Sequence, residues 1–330
     1  MGRPNRSTTI GRCPARAAIA GNPSDGYGGF VVAVPVRSVG AQVSATPAAR
    51  FELTHSPTAD DTFDTLSDLV DHVDRYGVLD ARALVLATLR ALVRRHTAEL
   101  APVRLDVVTD IPRSVGLAGS TAIVIATVRA LAAQHSDTTW SGDLMGEPTA
   151  LAEFALSVET DELGLTAGIQ DRLVLAHDAP LAMDFSSGHH RALDRVPARC
   201  FVAYRTDAAE ISDRVHRSLR DDHDDDVGDT RDLLDAIAAA GREAAEAIDR
   251  SDVDALGVAV DRTLALRSEL VELHPAMIAV ARTIRDHGGH ANWTGSGGAV
   301  IAVLGPAVDT DALIHALRVI HRCEILPVEE

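Results

Sequence analysis

The sequence predicts a mixed α and β fold in two domains, and three observations carry that prediction. At 330 residues the chain exceeds what one hydrophobic core comfortably serves, so it is expected to divide. Its apolar segments alternate between short runs of β type and longer runs of helical period, without internal repeats. A glycine-rich turn at 112–122 leads straight into a strongly apolar helix, the kind of junction that holds an anion against a helix N-terminus.

The elements follow in order. Segments 10–21 and 30–37 read as strands on either side of the turn Asn-Pro-Ser-Asp-Gly-Tyr-Gly-Gly. Residues 82–96 have helical period, and 103–109 alternates as a strand should. After the glycine turn, AIVIATVRALAAQ (122–134) is a helix apolar on all faces, hence a core helix. A further helix is expected from about 166 to 177, which puts Asp171 in its early turns, and a strand follows at 181–185. The polar stretch 186–199, with Gly188 and Pro197, is the expected boundary between domains 1–195 and 196–330. Beyond it come a strand at 200–204, helices at 229–249, 253–272 and 274–287, a second glycine turn, a strand at 299–304 and a helix at 309–320.

Composition narrows the function. A net charge of −17 argues against nucleic acid and anionic membranes as partners, since no basic face could dominate. There is no apolar run of about 18 residues, and the polar start at 1–9 lacks a signal-peptide pattern. The expectation is a cytoplasmic enzyme acting on a small molecule, as a monomer or homodimer. Cys13, Cys200 and Cys323 are scattered and odd in number, which fits buried thiols in a reducing compartment. The acidic run at 221–226 reads as a solvated loop, His189-His190 as a surface turn without a metal-ligand partner, and Trp293 as core.

The loop carries the chemistry. Gly116 and Gly119 let the backbone approach an anion, while Ser120 and Thr121 offer hydroxyls to a metal or a phosphate oxygen. The chain contains no lysine, so all 31 of its Lys+Arg residues are arginines. A Walker A loop and a kinase strand lysine are therefore excluded, leaving a nucleotide loop built from glycines, amides and hydroxyls.

These residues resemble the GHMP kinases, named for galactokinase, homoserine kinase, mevalonate kinase and phosphomevalonate kinase. Pro112-x-x-x-Gly116-Leu117-Ala118-Gly119-Ser120-Thr121 is similar to the family's central loop, with the small residues at 118 and 119 exchanged as in the glucuronokinase branch. Cys13-Pro14-Ala15-Arg16 and Gly21-Asn22-Pro23-Ser24-Asp25 resemble its N-terminal motif, and Thr294-Gly295-Ser296-Gly297-Gly298-Ala299 its third glycine motif. The segment 159–172 matches a fourth pattern at Glu159, Gly164, Gly168 and Asp171. The resemblance implies an α+β GHMP kinase fold, with a ribosomal-protein-like N-terminal domain, a ferredoxin-like C-terminal domain and the active site between them. It implies ATP and Mg²⁺ as cofactors, with ATP bound by 112 and 116–121 and by Gly295, Ser296, Gly297 and Gly298. Ser120 and Glu159 are the implied metal ligands, with Glu162 competing one turn away; Asp171 is the implied base, and Arg16 stabilises charge near it.

For the acceptor, the resemblance points to Asn22, Asp25, Gly26, Gly168 and the arginines Arg113 and Arg172. Asn22 stands where a galactokinase-like site has glutamate, and an amide can donate to a carboxylate that a glutamate would repel. The planar fork of arginine suits the same group. With the segment 215–220, these matches are most similar to the glucuronokinase branch, which implies phosphorylation of the anomeric hydroxyl of a uronic acid. A neutral sugar, a polyol or a non-catalytic sensor on the same fold are the alternatives.

Overall fold

A computed structural model describes residues 7–54, 60–76, 82–208, 229–295 and 297–328. The chain forms two compact units that are not consecutive in sequence. Strands β1 (Thr9–Ala20) and β2 (Phe30–Pro47) are long enough to contribute to both: Thr9 to Pro14 and Gly40 to Pro47 belong to the first unit, Ala15 to Val39 to the second.

In the first unit, β2 pairs antiparallel with β5 (Val103–Thr109), with Ala41 opposite Thr109 and Pro47 opposite Val103. Strand β3 (Phe51–Thr54) runs parallel to β5 and antiparallel to β4 (Asp60–Phe63). Six helices accompany them among the described residues: α1 (Leu66–Tyr76), α2 (Arg82–His96), α3 (Gly119–Gln134), α4 (Thr139–Gly146), α5 (Pro148–Ser157) and α6 (Gln170–His177). Helix α3 is the core helix its composition predicts, with Val124, Ile125, Val128 and Leu131 fully buried. At Gly11 a Cβ would lie 2.0 Å from the Ala126 carbonyl, so only glycine lets β1 come this close to α3. Arg129 of α3 donates to the carbonyls of Leu175 and Ala176 at 3.1 Å each, capping the last turn of α6.

In the second unit, the early part of β2 pairs antiparallel with β6 (Leu181–Asp184), which turns back as a hairpin into β7 (His189–Ala192). A second, antiparallel sheet has the order β11-β8-β10-β9, from β8 (Arg199–Tyr204), β9 (His290–Trp293), β10 (Ala299–Leu304) and β11 (Glu324–Val328). Helices α7 (Thr230–Asp249), α8 (Val253–Leu270), α9 (Pro275–Asp286) and α10 (Thr310–His321) complete the unit. Phe201, Met277, Ile284, Trp293, Val300 and Leu317 share its core, so Trp293 is core as expected. Asp252 and Asp309 cap α8 and α10 by accepting the Ala255 and Ala312 amides at 3.0 Å.

The structure departs from the expected elements in several places: β2 runs on to Pro47 rather than ending at 37, and β3, β4, β11, α1, α4 and α5 are additional. Helix α3 starts at Gly119 rather than 122, which draws the loop hydroxyls into its first turn. Helix α6 starts at Gln170 rather than near 166, still leaving Asp171 in the first turn. His189 and His190 lie in strand β7 opposite Asp184 and Met183, and not in a surface turn, because the Phe185 to Gly188 turn closes the hairpin just before them.

Candidate active site

The loop between β5 and α3 owes its shape to alternating backbone handedness. Ser114, Gly116 and Ala118 have φ of +58°, +79° and +58°, separated by residues of ordinary φ. Such alternation turns successive amides toward one concavity, an arrangement suited to anions. Glycine adopts this conformation freely, but Ala118 holds it against its own Cβ, at a cost of about 1 kcal/mol. The exchanged Ala118-Gly119 pair therefore puts the side chain at the left-handed position and the glycine at the start of α3.

In the second unit the loop is gripped from two sides. The Arg16 amide donates to the Leu117 carbonyl at 3.2 Å, and its guanidinium reaches the Gly116 carbonyl at 3.3 Å while only 4% exposed. Gly295, at φ +71°, lies so close that a Cβ there would be 2.0 Å from the Gly116 oxygen. Its own carbonyl accepts from Arg267 at 2.6 Å, and the same guanidinium donates to the Trp293 carbonyl at 2.7 Å. Gly298, also left-handed, accepts the Arg205 amide at 2.8 Å and packs near Val115. Pro112 and Arg113 lead into the loop, with Arg113 exposed. Ser296 lies outside the described residues, as do 215–220 and the acidic run at 221–226.

In the first unit the hydroxyls at the start of α3 converge on one carboxylate. Ser120 Oγ donates to Glu159 Oε1 at 2.5 Å, and Thr121 Oγ1 donates to Glu159 Oε2 at 3.0 Å. Glu159 is 1% exposed and sits on a π-helical turn, Val158–Glu162, that extends α5 by a widened turn. Arg172 completes the cluster: its Nε donates to Glu159 Oε2 at 2.7 Å, its Nη2 pairs with the same oxygen, and its Nη1 donates to the Gly168 carbonyl at 2.7 Å. Asp171, about one-fifth exposed, has Oδ2 3.8 Å from Arg172 Nη1. Glu162 is turned instead to Arg90 of α2, with Oε2 3.1 Å from its Nε.

The remaining expected residues are distributed as follows. Asn22 is buried, its Nδ2 donating to the Trp293 carbonyl at 2.9 Å and its Oδ1 accepting from Asn292 at 2.8 Å. Asp25 is half-buried in the short 3-10 helix Ser24–Tyr27, Gly26 is exposed beside it, and Gly168 is exposed before α6. Arg267 holds the third glycine motif through the Gly295 and Trp293 carbonyls, and Asn292 holds the N-terminal segment by donating to the Ile19 carbonyl and Asn22 Oδ1, yet the sequence marks neither, since an arginine on a helix and an asparagine in a strand match no motif.

Glu159 Oε1 and Ser120 Oγ form an oxygen edge of the kind Mg²⁺ prefers. That edge fits an ion whose other ligands are phosphate oxygens and water. Among the described residues no group of three or more His, Cys, Asp or Glu could hold a metal by itself, so a protein share of one carboxylate and one hydroxyl is what the site offers.

Residues 83–178, which carry the loop, α3, the π turn and α6, match the profile of the family described as the GHMP kinases N terminal domain. That segment is thus similar to the N-terminal domain of the GHMP kinases. It is 26% identical over 311 residues to Glucuronokinase 1 of Arabidopsis thaliana, covering 87% of this chain and 82% of that protein. It is 27% identical over 318 residues to Probable glucuronokinase 2 of the same plant, with the same coverage. Among solved structures, Lactococcus lactis galactokinase complexed with galactose superposes with a TM-score of 0.80 at 15% identity, covering 98% of this chain and 94% of that one. The Methanococcus jannaschii mevalonate kinase gives 0.76 at 15% identity over 98% of both chains. At these identities the structural matches establish the GHMP kinase fold, an α+β fold as the sequence predicts. No helix of the described residues is long and apolar enough to cross a membrane.

Proposed function

We propose that this chain is a GHMP kinase and transfers the γ-phosphoryl of ATP to the anomeric hydroxyl of a uronic acid. Phosphoryl transfer to a sugar hydroxyl is the coarser statement, supported by the family and by the two glucuronokinase relatives. The observation that carries the reading is the convergence of Ser120 and Thr121, at the start of the helix after the phosphate loop, on the buried Glu159 carboxylate.

Mechanistically, the loop amides and the N-terminus of α3 would take the phosphates, where the helix dipole favours negative charge. Ser120 and Glu159 would hold Mg²⁺, which when bound neutralises phosphate charge. Asp171, in the first turn of α6 and partly exposed, is the group to take the proton of the acceptor hydroxyl. Arg16 anchors the Gly116 carbonyl and brings a fixed positive charge to the loop, suited to stabilising charge on the transferred group.

The uronate preference rests on the glucuronokinase relatives and on the residues expected to read a carboxylate. Arg172 pairs with Glu159, and Asn22 makes hydrogen bonds with Trp293 and Asn292. Arg113, exposed at the mouth of the loop, is thus the arginine we assign to the acid group, with Asp25, Gly26 and Gly168 contributing to sugar binding. A panel of sugars with ATP and Mg²⁺ tests this: glucuronate or galacturonate should exceed glucose and galactose in kcat/KM by about tenfold or more. Equal rates on acids and neutral sugars would remove the uronate assignment while leaving the sugar kinase in place.

A further inference from the structure

Glu159 is unusual as a candidate metal ligand because it already has a full counter-ion. Oε2 receives Thr121 Oγ1 and two nitrogens of Arg172, whereas among the described residues Oε1 receives only Ser120 Oγ. Both partners are buried, Glu159 at 1% and Arg172 at 5% exposure, so solvent screens the pair little. The cluster also lies at the N-terminus of α3, the positive end of that helix.

We infer that Arg172 is a positioning residue that makes divalent-ion binding conditional on nucleotide. The inference rests on the proposed reading of Ser120 and Glu159 as the metal's holders. A free divalent ion approaching Oε1 meets a carboxylate neutralised by arginine and a positive helix end. Mg²⁺ gives up its water reluctantly and needs anionic oxygens in return, so this edge alone holds it weakly. Nucleotide phosphates supply the missing negative charge and satisfy the helix end, and the ion then binds as part of the metal–nucleotide complex. The fork on Oε2 leaves Oε1 as the oxygen turned to Ser120. The Nη1 bond to the Gly168 carbonyl ties the same guanidinium to the entry of α6, so ligand orientation and the position of Asp171 share one anchor.

The test is Mn²⁺ binding to the intact protein, followed by calorimetry and by the Mn²⁺ paramagnetic resonance signal, with and without a non-hydrolysable ATP analogue. Wild type should bind Mn²⁺ with the analogue and show no saturable binding without it. Arg172→Gln, checked by its thermal melt, should gain nucleotide-free Mn²⁺ affinity by about tenfold or more, because one buried positive charge beside the carboxylate is gone. Arg172→Lys keeps the charge and should exclude free Mn²⁺ as wild type does, which carries the test if the glutamine variant does not fold. Wild type binding Mn²⁺ equally well without nucleotide, a folded Arg172→Gln with no gain, or free Mn²⁺ binding by Arg172→Lys would each overturn the inference. Glu159→Gln separates the two levels. If it leaves Mn²⁺ binding in the nucleotide complex intact, the metal-holder reading fails; if it abolishes that binding while Arg172→Gln gains nothing, the role given to Arg172 alone fails.

Discussion

Replacing Gly295 with alanine tests how the third glycine motif shapes the phosphate loop. Gly295 has φ +71°, a conformation that costs an alanine about 1–2 kcal/mol. The larger effect is steric. The new Cβ would stand 2.0 Å from the Gly116 oxygen and 2.6 Å from its carbonyl carbon and Cα, whereas real Cβ contacts stop near 3.0 Å, so the two backbones must separate by the difference, 1.0 Å. Neither side yields easily, since Arg267 holds the Gly295 carbonyl and Arg16 reaches the Gly116 carbonyl. A displacement of about 1 Å in a positioning element can cost roughly a hundredfold in function. Affinity for a non-hydrolysable ATP analogue, measured by calorimetry, should therefore fall by about ten- to a hundredfold, and the melting temperature by a few degrees. Gly142→Ala is the control: it lies in α4, its Cβ meets nothing within 4 Å, and it should leave both quantities at or above wild type. Wild-type affinity and melting in Gly295→Ala would refute the argument that this approach sets the loop.

Two further predictions concern the second unit away from the loop. Asp261 lies in a partly buried setting that raises its carboxyl pKa, but hydrogen bonds from His290 at 2.8 Å and Arg285 at 2.7 Å outweigh this and hold it below its ordinary 3.8. A depressed carboxylate stabilises the fold above its unfolded value and loses that contribution as pH falls below 3.8. Asp261→Asn should thus cost about 1–2 kcal/mol near neutral pH in denaturant titrations, with the gap from wild type closing below pH 4; a gap independent of pH would contradict the assignment. Burial pushes the Cys323 thiol up from 9.0 to about 11, with Arg205 opposing the shift, so at pH 8 its thiolate fraction falls by two powers of ten. Alkylation of Cys323, followed by peptide mass spectrometry, should be about a hundredfold slower in the folded than in the unfolded protein, and equal rates would show the thiol is not so held.

The parts of this molecule that were legible in sequence are those in which local chemistry dictates local structure. Glycines at 116 and 119 followed by an unbroken apolar run can hardly be other than a tight turn and a core helix, and the spacing from Glu159 to Asp171 survives because both lie in or beside short helical turns. The rest depends on what faces what. Arg172 next to Asp171, the base the resemblance implies, suggests a fork for a substrate anion, but helical geometry turns it to Glu159, and no local signal says which side of α6 is buried. Asn22 suggests an open amide, yet Trp293 and Asn292, some 270 residues away, engage it. The continuation of β2 from Val39 to Pro47 has inward Val39, Ala41, Val43 and Ala45 alternating with polar residues and Gly40, a pattern weakened by small side chains. The π turn that carries Glu159 and the carbonyl-holding Arg267 have no sequence signature, because both are made by tertiary packing. The two compact units interleave along the chain for a similar reason: β1 and β2 are longer than either unit needs, and length alone does not reveal where a strand passes from one core to the other.

The central claim, phosphoryl transfer to a sugar acid with Asp171 taking the acceptor proton, is tested most directly by following D-glucuronate, ATP and Mg²⁺ with the protein by ³¹P nuclear magnetic resonance. Wild type should form ADP and a phosphate ester coupled to the anomeric proton, and Asp171→Asn should bind the ATP analogue normally but turn over about a hundred- to ten-thousandfold more slowly. Wild-type turnover by Asp171→Asn, or an ester at a carbon other than the anomeric one, would contradict it.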